Sequence, residues 1–420
     1  MVDEKLATMY LAGRQLERSR RPRQGTRFGL PSCCLSPGQT TTLTRRLCCL
    51  DCGAVKFPKL SRLPPQLRVL LLVVGVYLFL VSITLLGDGF KGLGSPFIRT
   101  LLALTATPVA GLFVGVLATS LVQSSSCTTS LVVGMVASGA LDVSHAIPIV
   151  MGANIGTTIT NTIVSLAHVT RRQEFERAFP AAIVHDVFNI LTVALLLPLE
   201  ILFHPIARSS ALLGRAFAGV GGFTAVSPLK VTVQPVADLA AGLLGHTPVL
   251  ELALGGVFLF LSLRVIVDMM RSLVSRRLEL VVDKYLFGNA LKAALVGLAF
   301  TALVQSSSVT TSIAVPMAGA GLLTLQQFFP YALGANVGTT VTAILAALVT
   351  GSPAGIQIAF AHLLFNVFGG VVWYPMRAVP IVLSQRWGRF CARHRFWAVL
   401  YVVIAFFAIP LVVVILTRRP

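Results

Sequence analysis

Four stretches of the chain are apolar over roughly the length that an α-helix needs to cross a lipid bilayer. They are Val69 to Leu86, Ala178 to Phe203, Val249 to Met269 and Trp397 to Leu416. Hydrocarbon tolerates only helices and closed barrels, because every backbone polar group must be paired within the protein. The stretches lack the alternation of polar and apolar residues that a barrel strand shows. The sequence therefore predicts an all-α polytopic membrane protein.

The overall composition agrees with a lipid environment. Hydrophobic residues make up 55% of the 420 residues and charged residues only 12%, with a mean hydropathy of +0.84. Soluble domains carry about twice that charged fraction. This chain therefore has more apolar surface than one soluble core could bury.

The first 68 residues differ from the rest of the chain in charge. They contain 13 Lys or Arg against 4 Asp or Glu, in a chain of formal net charge +19. A basic segment beside a first membrane helix holds that end in the cytoplasm, and we prefer this interpretation to nucleic-acid binding. No short apolar core with a cleavage site precedes Val69 to Leu86, which is predicted to be a retained anchor. We expect a multi-pass protein of the plasma membrane, or of the cell inner membrane in a bacterium, with a cytoplasmic N-terminus.

Most of the cysteines also lie in this basic segment, where a reducing cytoplasm argues against disulfides. They are Cys33, Cys34, Cys48, Cys49 and Cys52. Cys49 and Cys52 form a C-x-x-C pair, but no second pair or histidine follows at the spacing of a zinc finger. Metal binding is therefore disfavoured, and lipidation of these cysteines is a comparable alternative.

Two polar motifs recur at a constant spacing. LVQSSSCTTS at 121–130 returns as LVQSSSVTTS at 303–312, and GANIGTT at 152–158 returns as GANVGTT at 334–340. Both pairs are 182 residues apart (303 − 121 = 182 and 334 − 152 = 182). This spacing is typical of a duplicated membrane half rather than of a solenoid. In transporters built this way, the binding site lies where the two repeats meet.

A third pair shows where the two copies differ in length. HDVFN begins at His185 and HLLFN begins at His362, which is 177 residues later (362 − 185 = 177). The second copy therefore lacks five residues (182 − 177 = 5) relative to the first. We place the missing stretch near 171–177 and expect a polar loop there.

The repeats and the apolar stretches divide the chain into six predicted parts. They are a basic cytoplasmic segment (1–68), a first membrane helix and loop (69–94), transport repeat 1 (95–203), an inter-repeat segment with a membrane helix (204–276), transport repeat 2 (277–378), and a loop with the last membrane helix (379–420).

Interruptions of the hydrophobic signal predict re-entrant helical hairpins. The signal breaks at Pro108, at each Gln-Ser-Ser-Ser motif, and again near Pro148 and Gly152. Between the repeats, Ile206 to His246 is rich in Gly, Pro and small residues. We interpret that stretch as an external loop or surface segment.

The two Gln-Ser-Ser-Ser motifs, Gln123 to Ser126 and Gln305 to Ser308, are predicted to be matching halves of one polar site. At bilayer depth such a run is stable only around a cavity, because hydrocarbon offers no hydrogen-bond partner. If the serines unwind at a hairpin tip, they present helix N-terminal N–H groups to an anion and oxygens to Na⁺. Helix packing would explain a single serine, but it would tolerate Ala or Gly at many positions of two long motifs.

The Gly-Ala-Asn-x-Gly-Thr-Thr motifs supply complementary groups. Their glycines permit close approach of backbones, and their amide and hydroxyl oxygens suit a hard cation. The glycines are Gly152, Gly156, Gly334 and Gly338, and the oxygen-bearing residues are Asn154, Thr157, Asn336 and Thr339.

The third motif places a histidine and an asparagine on one helix face in each copy. His185 and Asn189 are four residues apart, as are His362 and Asn366. For the histidines, hydrogen bonding to neighbouring helices is the preferred interpretation over contact with a ligand.

Asp186 breaks the symmetry, because its counterpart in the second copy is Leu363. A carboxylate inside a membrane is a candidate cation ligand or countercharge. The alternative is a salt bridge near the membrane surface with Arg171, Arg172 or Arg177.

The motifs of two enzyme classes are absent from the sequence. No G-x-x-x-x-G-K-[ST] loop is present to hold ATP, and no G-x-S-x-G elbow supports an intramembrane serine hydrolase. A nucleophile is needed once, whereas this Ser-rich element is duplicated. The sequence therefore predicts a transporter that is not an enzyme and needs no organic cofactor.

The paired QSSS and GANxGTT motifs, followed by VHDVFN and AHLLFN, resemble the type II sodium-dependent phosphate cotransporters. The resemblance covers roughly Pro108 to Tyr401 and includes NTIVSL, EFERAF, LLPLE and AILAAL. It implies two inverted repeats, each bringing a QSSS hairpin to a central site where phosphate and Na⁺ meet.

The resemblance also assigns roles to residues. The expected phosphate-binding residues are Gln123, Ser124, Ser125, Ser126, Ser306, Ser307 and Ser308, and we add Asn154 and Asn336. The expected sodium ligands are Gln305, Ser306, Thr339 and Thr342 at one site, with Gln123, Asp186 and Asn189 for other ions.

In that family an aspartate directly after the first histidine accompanies electrogenic transport with one extra Na⁺, so Asp186 indicates the electrogenic type. Ala182 also fits that type, whereas Pro180 departs from it. The segment between the repeats is short and free of cysteine, unlike the long disulfide-bonded loop of animal members, which favours a bacterial or simplified relative.

The resemblance therefore implies a secondary transporter that imports inorganic phosphate, mainly the divalent form, together with Na⁺ by alternating access. Its expected partners are phosphate, sodium and the lipid bilayer, without nucleic acid. The alternatives are a transporter of another tetrahedral oxyanion and a membrane scaffold that has lost transport.

Overall fold

The computed structural model describes residues 63–221, 228–274 and 289–417. Within these ranges the regular structure is helical and contains no strand, which confirms the predicted all-α class. Residues 1–62, which include most of the basic segment and its five cysteines, lie outside the described residues, whereas the predicted end of that segment already belongs to the first helix, which begins at Pro65.

The described residues up to Phe203 form seven helices. These helices are α1 (Pro65–Gly92), α2 (Gly94–Leu104), α3 (Pro108–Val122), α4 (Ser125–Ala137), α5 (Val143–Gly156), α6 (Ile159–Leu166) and α7 (Arg172–Phe203).

The remaining described residues continue as helices. They are α8 (Pro205–Gly221), α9 (Pro228–Leu243), α10 (Pro248–Val274), α11 (Ala290–Val304), α12 (Ser307–Gly319), α13 (Leu325–Thr350), α14 (Pro353–Trp373), α15 (Ala378–Arg393), α16 (Arg395–Val403), a π-helical turn (Ile404–Ala408) and α17 (Ile409–Thr417).

Seven helical segments in the described residues are long and apolar enough to cross a membrane. They are α1, the α5–α6 segment (Val143–Leu166), α7, Pro248–Met269 of α10, α13, α14 and the C-terminal segment Arg395–Thr417. Each of the four predicted apolar stretches lies within one of them. By contrast α3, α4 and α11 are apolar but have 15, 13 and 15 residues, which is short of the ~20 that a span requires.

Each Gln-Ser-Ser-Ser motif separates two short helices. Gln123 (φ 56°) and Gln305 (φ 58°) adopt the left-handed conformation, which is uncommon for a residue other than glycine. Ser124 and Ser306 are extended and cap the helix that follows. The other serines are helical rather than unwound, because the helix restarts at once after the cap; they are Ser125, Ser126, Ser307 and Ser308.

The repeat is visible in how the helices pack. A Cβ built on Gly152 of α5 would lie 1.9 Å from the Leu112 carbonyl oxygen of α3, and one on Gly334 of α13 would lie 1.8 Å from the Ala294 carbonyl oxygen of α11. The same correspondence holds for the facing glycines, Gly115 on Ile149 and Gly297 on Tyr331. The two helix crossings therefore match residue for residue at the 182-residue spacing.

The structure corrects two expectations about loops. Most of the stretch near 171–177, expected as a polar loop, belongs to α7, which begins at Arg172. The external loop expected over Ile206 to His246 contains most of α8 and all of α9. Glu200 explains the start of α8, because its carboxylate accepts the N–H groups of Ile206 (2.7 Å) and Ala207 (3.0 Å).

A third correction concerns the interruption near Pro148 and Gly152. Both residues lie inside α5, so no hairpin forms there. Gly152 permits the close contact with α3 instead. The helix breaks later, at Thr157 and Thr158, before α6 begins.

Candidate functional site

Each Gln-Ser-Ser-Ser motif places a capped helix N-terminus within the fold. The Ser124 hydroxyl accepts the N–H of Cys127 (3.2 Å), and the Ser306 hydroxyl accepts the N–H of Val309 (3.3 Å). These caps leave the N–H groups of the first helical serines without partners inside the helix. A helix N-terminus of this kind attracts anions through its aligned N–H groups and its dipole.

The two motifs meet directly at Gln305. Ser126 of the first motif donates its hydroxyl to the Gln305 main-chain oxygen (3.2 Å), and Thr342 of α13 donates to the Gln305 side-chain oxygen (2.7 Å). The hydroxyls of Ser126 and Thr342 are 3.4 Å apart. Hydroxyl and carbonyl oxygens from both repeats thus converge here, and oxygen ligands are those that hard cations prefer.

Two other residues that were predicted to bind the same Na⁺ as Gln305 and Thr342 use their hydroxyl groups within their own helices. The Thr339 hydroxyl donates to the Ala335 main-chain oxygen (3.0 Å), and the Ser306 hydroxyl is the α12 cap. The structure therefore brings Gln305 and Thr342 together, and it adds Ser126, which was predicted to bind phosphate.

The equivalent positions in the first repeat are arranged differently. Gln123 is exposed, and the buried hydroxyl of Thr160, the counterpart of Thr342, has no hydrogen-bond partner. Ser308, the counterpart of Ser126, donates to the Thr157 main-chain oxygen (3.2 Å). The two halves of the site are therefore related in sequence but unequal in contacts.

The predicted phosphate ligands Asn154 and Asn336 take part in a buried network that crosses between the repeats. The Asn336 side-chain oxygen lies 2.5 Å from His185 Nε2, and the Asn154 side-chain oxygen lies 3.3 Å from His362 Nε2. Each asparagine thus pairs with the histidine of the other repeat. All four side chains are nearly inaccessible to solvent.

Asn189 joins the two halves of this network. Its amide donates to the Asn154 main-chain oxygen (2.7 Å), and its side-chain oxygen accepts from Asn336 (2.9 Å). Asn366, its counterpart, instead donates to the His362 main-chain oxygen in its own helix (3.0 Å).

Asp186 is fully buried and is held by two hydroxyl groups. Thr158 donates to Oδ1 at 2.9 Å, and Tyr401 donates to Oδ2. The arginines considered as salt-bridge partners do not reach it: Arg171 pairs with Glu174, and Arg172 pairs with Glu176. The surface salt bridge considered for Asp186 therefore does not form.

A cavity of about 220 Å³ adjoins the contact between the motifs. Gln305 and Thr342 supply its polar wall, and apolar side chains of α1, α10, α11 and α13 supply the rest. In the described ranges, no cluster of three or more His, Cys, Asp or Glu side chains could hold a metal ion. The oxygens around Gln305 are hydroxyl and amide oxygens, a set suited to Na⁺ rather than to a transition metal.

A family model described as "Na+/Pi-cotransporter" matches residues 78–225 and 258–383. The chain belongs to the Na⁺/Pi-cotransporter family. Members of this family are transporters rather than enzymes. No solved structure matches the chain.

Several mammalian proteins are similar to this Na⁺/Pi-cotransporter family member. "Sodium-dependent phosphate transport protein 2A" of Oryctolagus cuniculus is 34% identical over 82% of the chain and 66% of its own length, and that of Mus musculus is 35% identical over 84% and 69%. "Sodium-dependent phosphate transport protein 2B" of Homo sapiens is 34% identical over 82% and 64%. The chain thus spans about two thirds of the length of these relatives.

The structure places four residues in these networks that the sequence did not single out. They are Thr158, Asn161, Thr311 and Tyr401. Thr158 belongs to a repeated motif, but only its neighbour Thr157 was proposed as a ligand. Asn161 lies between His185 Nδ1 (3.4 Å) and the hydroxyl of Thr311 (2.9 Å). Asn161 has Ala343 as its counterpart, and Tyr401 lies beyond both repeats. Neither residue therefore belongs to a repeated sequence motif.

Proposed function

We propose that this protein is a secondary transporter that couples the entry of Na⁺ to the uptake of inorganic phosphate. Membership of the Na⁺/Pi-cotransporter family supports this, as do relatives whose names describe sodium-dependent phosphate transport. The proposal includes the plasma membrane as location, or the inner membrane of a bacterium, with the N-terminus in the cytoplasm.

The contact of Ser126 with Gln305 and Thr342 is the structural observation that best supports the proposal. It joins the two Gln-Ser-Ser-Ser motifs through oxygens that Na⁺ can share, beside the N-termini of α4 and α12. A cation bound there would add positive charge next to N–H groups that favour an anion. Phosphate would then bind more tightly when Na⁺ is present, and this linkage is reciprocal.

The proposed transport cycle is alternating access by inverted repeats. Three candidate spans in the described residues separate α4 from α11: the α5–α6 segment, α7 and α10. If both short helix pairs enter and leave on one side, an odd number of crossings gives the two motifs opposite orientations. Opposite orientations would let each hairpin face one side of the membrane.

Asp186 is proposed to hold an additional Na⁺ and to make transport of divalent phosphate electrogenic. It is a buried carboxylate with no basic partner among its hydrogen bonds, and it has no counterpart in the second repeat. A cation is the natural partner of such a group inside a membrane.

The deciding experiment is uptake of radiolabelled phosphate into proteoliposomes with an inward Na⁺ gradient, compared with the same gradient of K⁺. Phosphate accumulation that requires Na⁺ supports the proposal. Purified, folded protein that shows no Na⁺-dependent accumulation would contradict it and favour the scaffold. Competition by sulfate and by arsenate separates phosphate from other tetrahedral oxyanions.

Ser126→Ala tests the observation behind the proposal, with Ser130→Ala as its control one turn along α4. The Ser130 hydroxyl is buried without a hydrogen-bond partner, so its removal costs no hydrogen bond. We expect Ser126→Ala to raise the Na⁺ concentration that gives half-maximal uptake, since one ligand oxygen is lost. Equal Na⁺ dependence in the two variants would argue against the assigned site.

A further inference from the structure

Tyr401 reaches the buried carboxylate of Asp186 from outside the two repeats. It belongs to α16 in the C-terminal segment, whereas the family model's match ends at residue 383. Tyr401 donates to Oδ2, and Thr158 of the first repeat donates to Oδ1. Both carboxylate oxygens are therefore occupied by hydroxyl donors, and Asp186 has no exposed surface.

Neighbouring aromatic rings hold the tyrosine in this orientation. The Trp387 ring lies 6.0 Å from the Tyr401 ring at 59°, and the Phe406 ring lies 6.0 Å away at 84°. Phe406 is itself fully buried against Val116 of α3 and Ile159 of α6. These ring contacts do not depend on the Tyr401 hydroxyl.

The segment that carries Tyr401 is the least packed of the seven candidate spans. Only 11% of an apolar 18-residue stretch in this segment is buried inside the protein, against 33% to 72% for the corresponding stretches of the other six. Its helix is also interrupted by the π-helical turn Ile404–Ala408, which ends two residues before Pro410. Proline lacks an N–H for the helical ladder, and π-turns and prolines are the usual places where helices bend.

We infer that Tyr401 is a positioning residue whose hydroxyl competes with Na⁺ for Oδ2 of Asp186. This inference rests on the proposed function, in which Asp186 binds a cation. A cation that binds Oδ2 takes the place of the tyrosine hydroxyl, and the lightly packed C-terminal segment is the element that can move this hydroxyl away. The hydroxyl thereby weakens Na⁺ binding at this site and favours release of the ion.

The test compares Tyr401→Phe with Tyr374→Phe, the same change at a tyrosine whose hydroxyl makes no described hydrogen bond. Tyr401→Phe keeps the ring packed on Trp387 and Phe406 but leaves Oδ2 without its donor. We expect the Na⁺ concentration for half-maximal phosphate uptake to fall at least about tenfold, as for loss of one hydrogen bond to a charged group. The phosphate concentration for half-maximal uptake at saturating Na⁺ stays unchanged, as do both values in Tyr374→Phe.

A double-mutant cycle with Asp186→Asn distinguishes an effect of Tyr401 on the Asp186 carboxylate from a purely structural role. If Tyr401 acts through the carboxylate, Tyr401→Phe has no further effect on Na⁺ dependence in the Asp186→Asn background. Additive effects, or a Tyr401→Phe protein with the wild-type Na⁺ dependence, would overturn the inference.

A second readout keeps this test independent of transport. Na⁺ titrated without phosphate should raise the unfolding midpoint of the detergent-solubilised protein, and it should do so at lower Na⁺ in Tyr401→Phe. Wild-type protein that is stabilised by Na⁺ but takes up no phosphate would refute the transport proposal alone. The same Na⁺ titration midpoint in both proteins would refute the role of Tyr401.

Discussion

Asn154 and Asn336 occupy equivalent positions of the two repeats, and each directs its side-chain oxygen to a histidine of the other repeat. A buried amide or imidazole without a partner is costly, so these four residues constrain one another. The oxygens of the proposed Na⁺ site instead come mostly from Gln305, Thr342 and Ser126. At the scale of single residues, the asparagines therefore hold the repeats together beside the candidate site.

Asn336→Ala tests this division of roles against Asn366→Ala. The first change removes one hydrogen-bond partner of His185 and one of Asn189, whereas Asn366 donates only to a carbonyl of its own helix. We expect Asn336→Ala to lower the free energy of unfolding by about 2 to 4 kcal/mol, and Asn366→Ala by about 1 kcal/mol or less. Reversible unfolding of the purified proteins in detergent measures both, and equal losses would contradict the network.

Asp186→Gly should leave phosphate uptake measurable but abolish the phosphate-evoked current, because the carboxylate that balances one extra Na⁺ is gone. The measurement is current on a solid-supported membrane in parallel with tracer uptake. Asp142→Gly is the control, since Asp142 is an exposed N-cap residue without a capping hydrogen bond. An unchanged ratio of current to phosphate in Asp186→Gly would disprove the electrogenic assignment.

At the scale of elements, the crossing of α3 with α5 and the crossing of α11 with α13 position the repeated motifs. Glycines bring the backbones into contact, and small residues at such crossings are the usual way for membrane helices to pack closely. The glycine motif predicted this close approach from the sequence alone. It did not predict that the asparagine between the two glycines would face the other repeat.

Gly334→Ala should separate α11 from α13, because the new Cβ would lie 1.8 Å from the Ala294 carbonyl oxygen. We expect a loss of at least about 2 kcal/mol in the free energy of unfolding and loss of Na⁺-dependent uptake. Gly370→Ala within α14 meets no atom within 4 Å and should be neutral or slightly stabilising. Unfolding in detergent and uptake in proteoliposomes compare the two, and a harmless Gly334→Ala would refute the packing argument.

For the whole molecule, the sequence predicted mainly the features that follow from apolar length and from the internal repeat. The helical class, the helix breaks at Gln123 and Gln305 and the close glycine crossings all follow from apolar length or from the 182-residue spacing. Tyr401 could not be found this way, because its contact with Asp186 joins residues 215 positions apart. The helices α8 and α9 were also missed, since their Gly and Pro content concealed them.

The relative orientation of the repeats can be tested with single cysteines at Ser144 and Gln326. Both residues are exposed in the first turn of equivalent helices, α5 and α13, and they are 182 residues apart (326 − 144 = 182). In a background without native cysteines, an impermeant thiol reagent should label Ser144→Cys and Gln326→Cys from opposite sides of the membrane. Labelling of both from one side would show that the repeats are parallel.

The exchange of partners between His185, Asn336, His362 and Asn154 has a consequence for biosynthesis. When the ribosome has delivered only the first repeat to the membrane, His185 and Asn154 lack the hydrogen-bond partners that Asn336 and His362 supply in the finished protein. The first repeat therefore lacks part of its buried hydrogen-bond network until the second repeat has been inserted into the membrane. Assembly of this chain is expected to be a single late event rather than the docking of two finished halves.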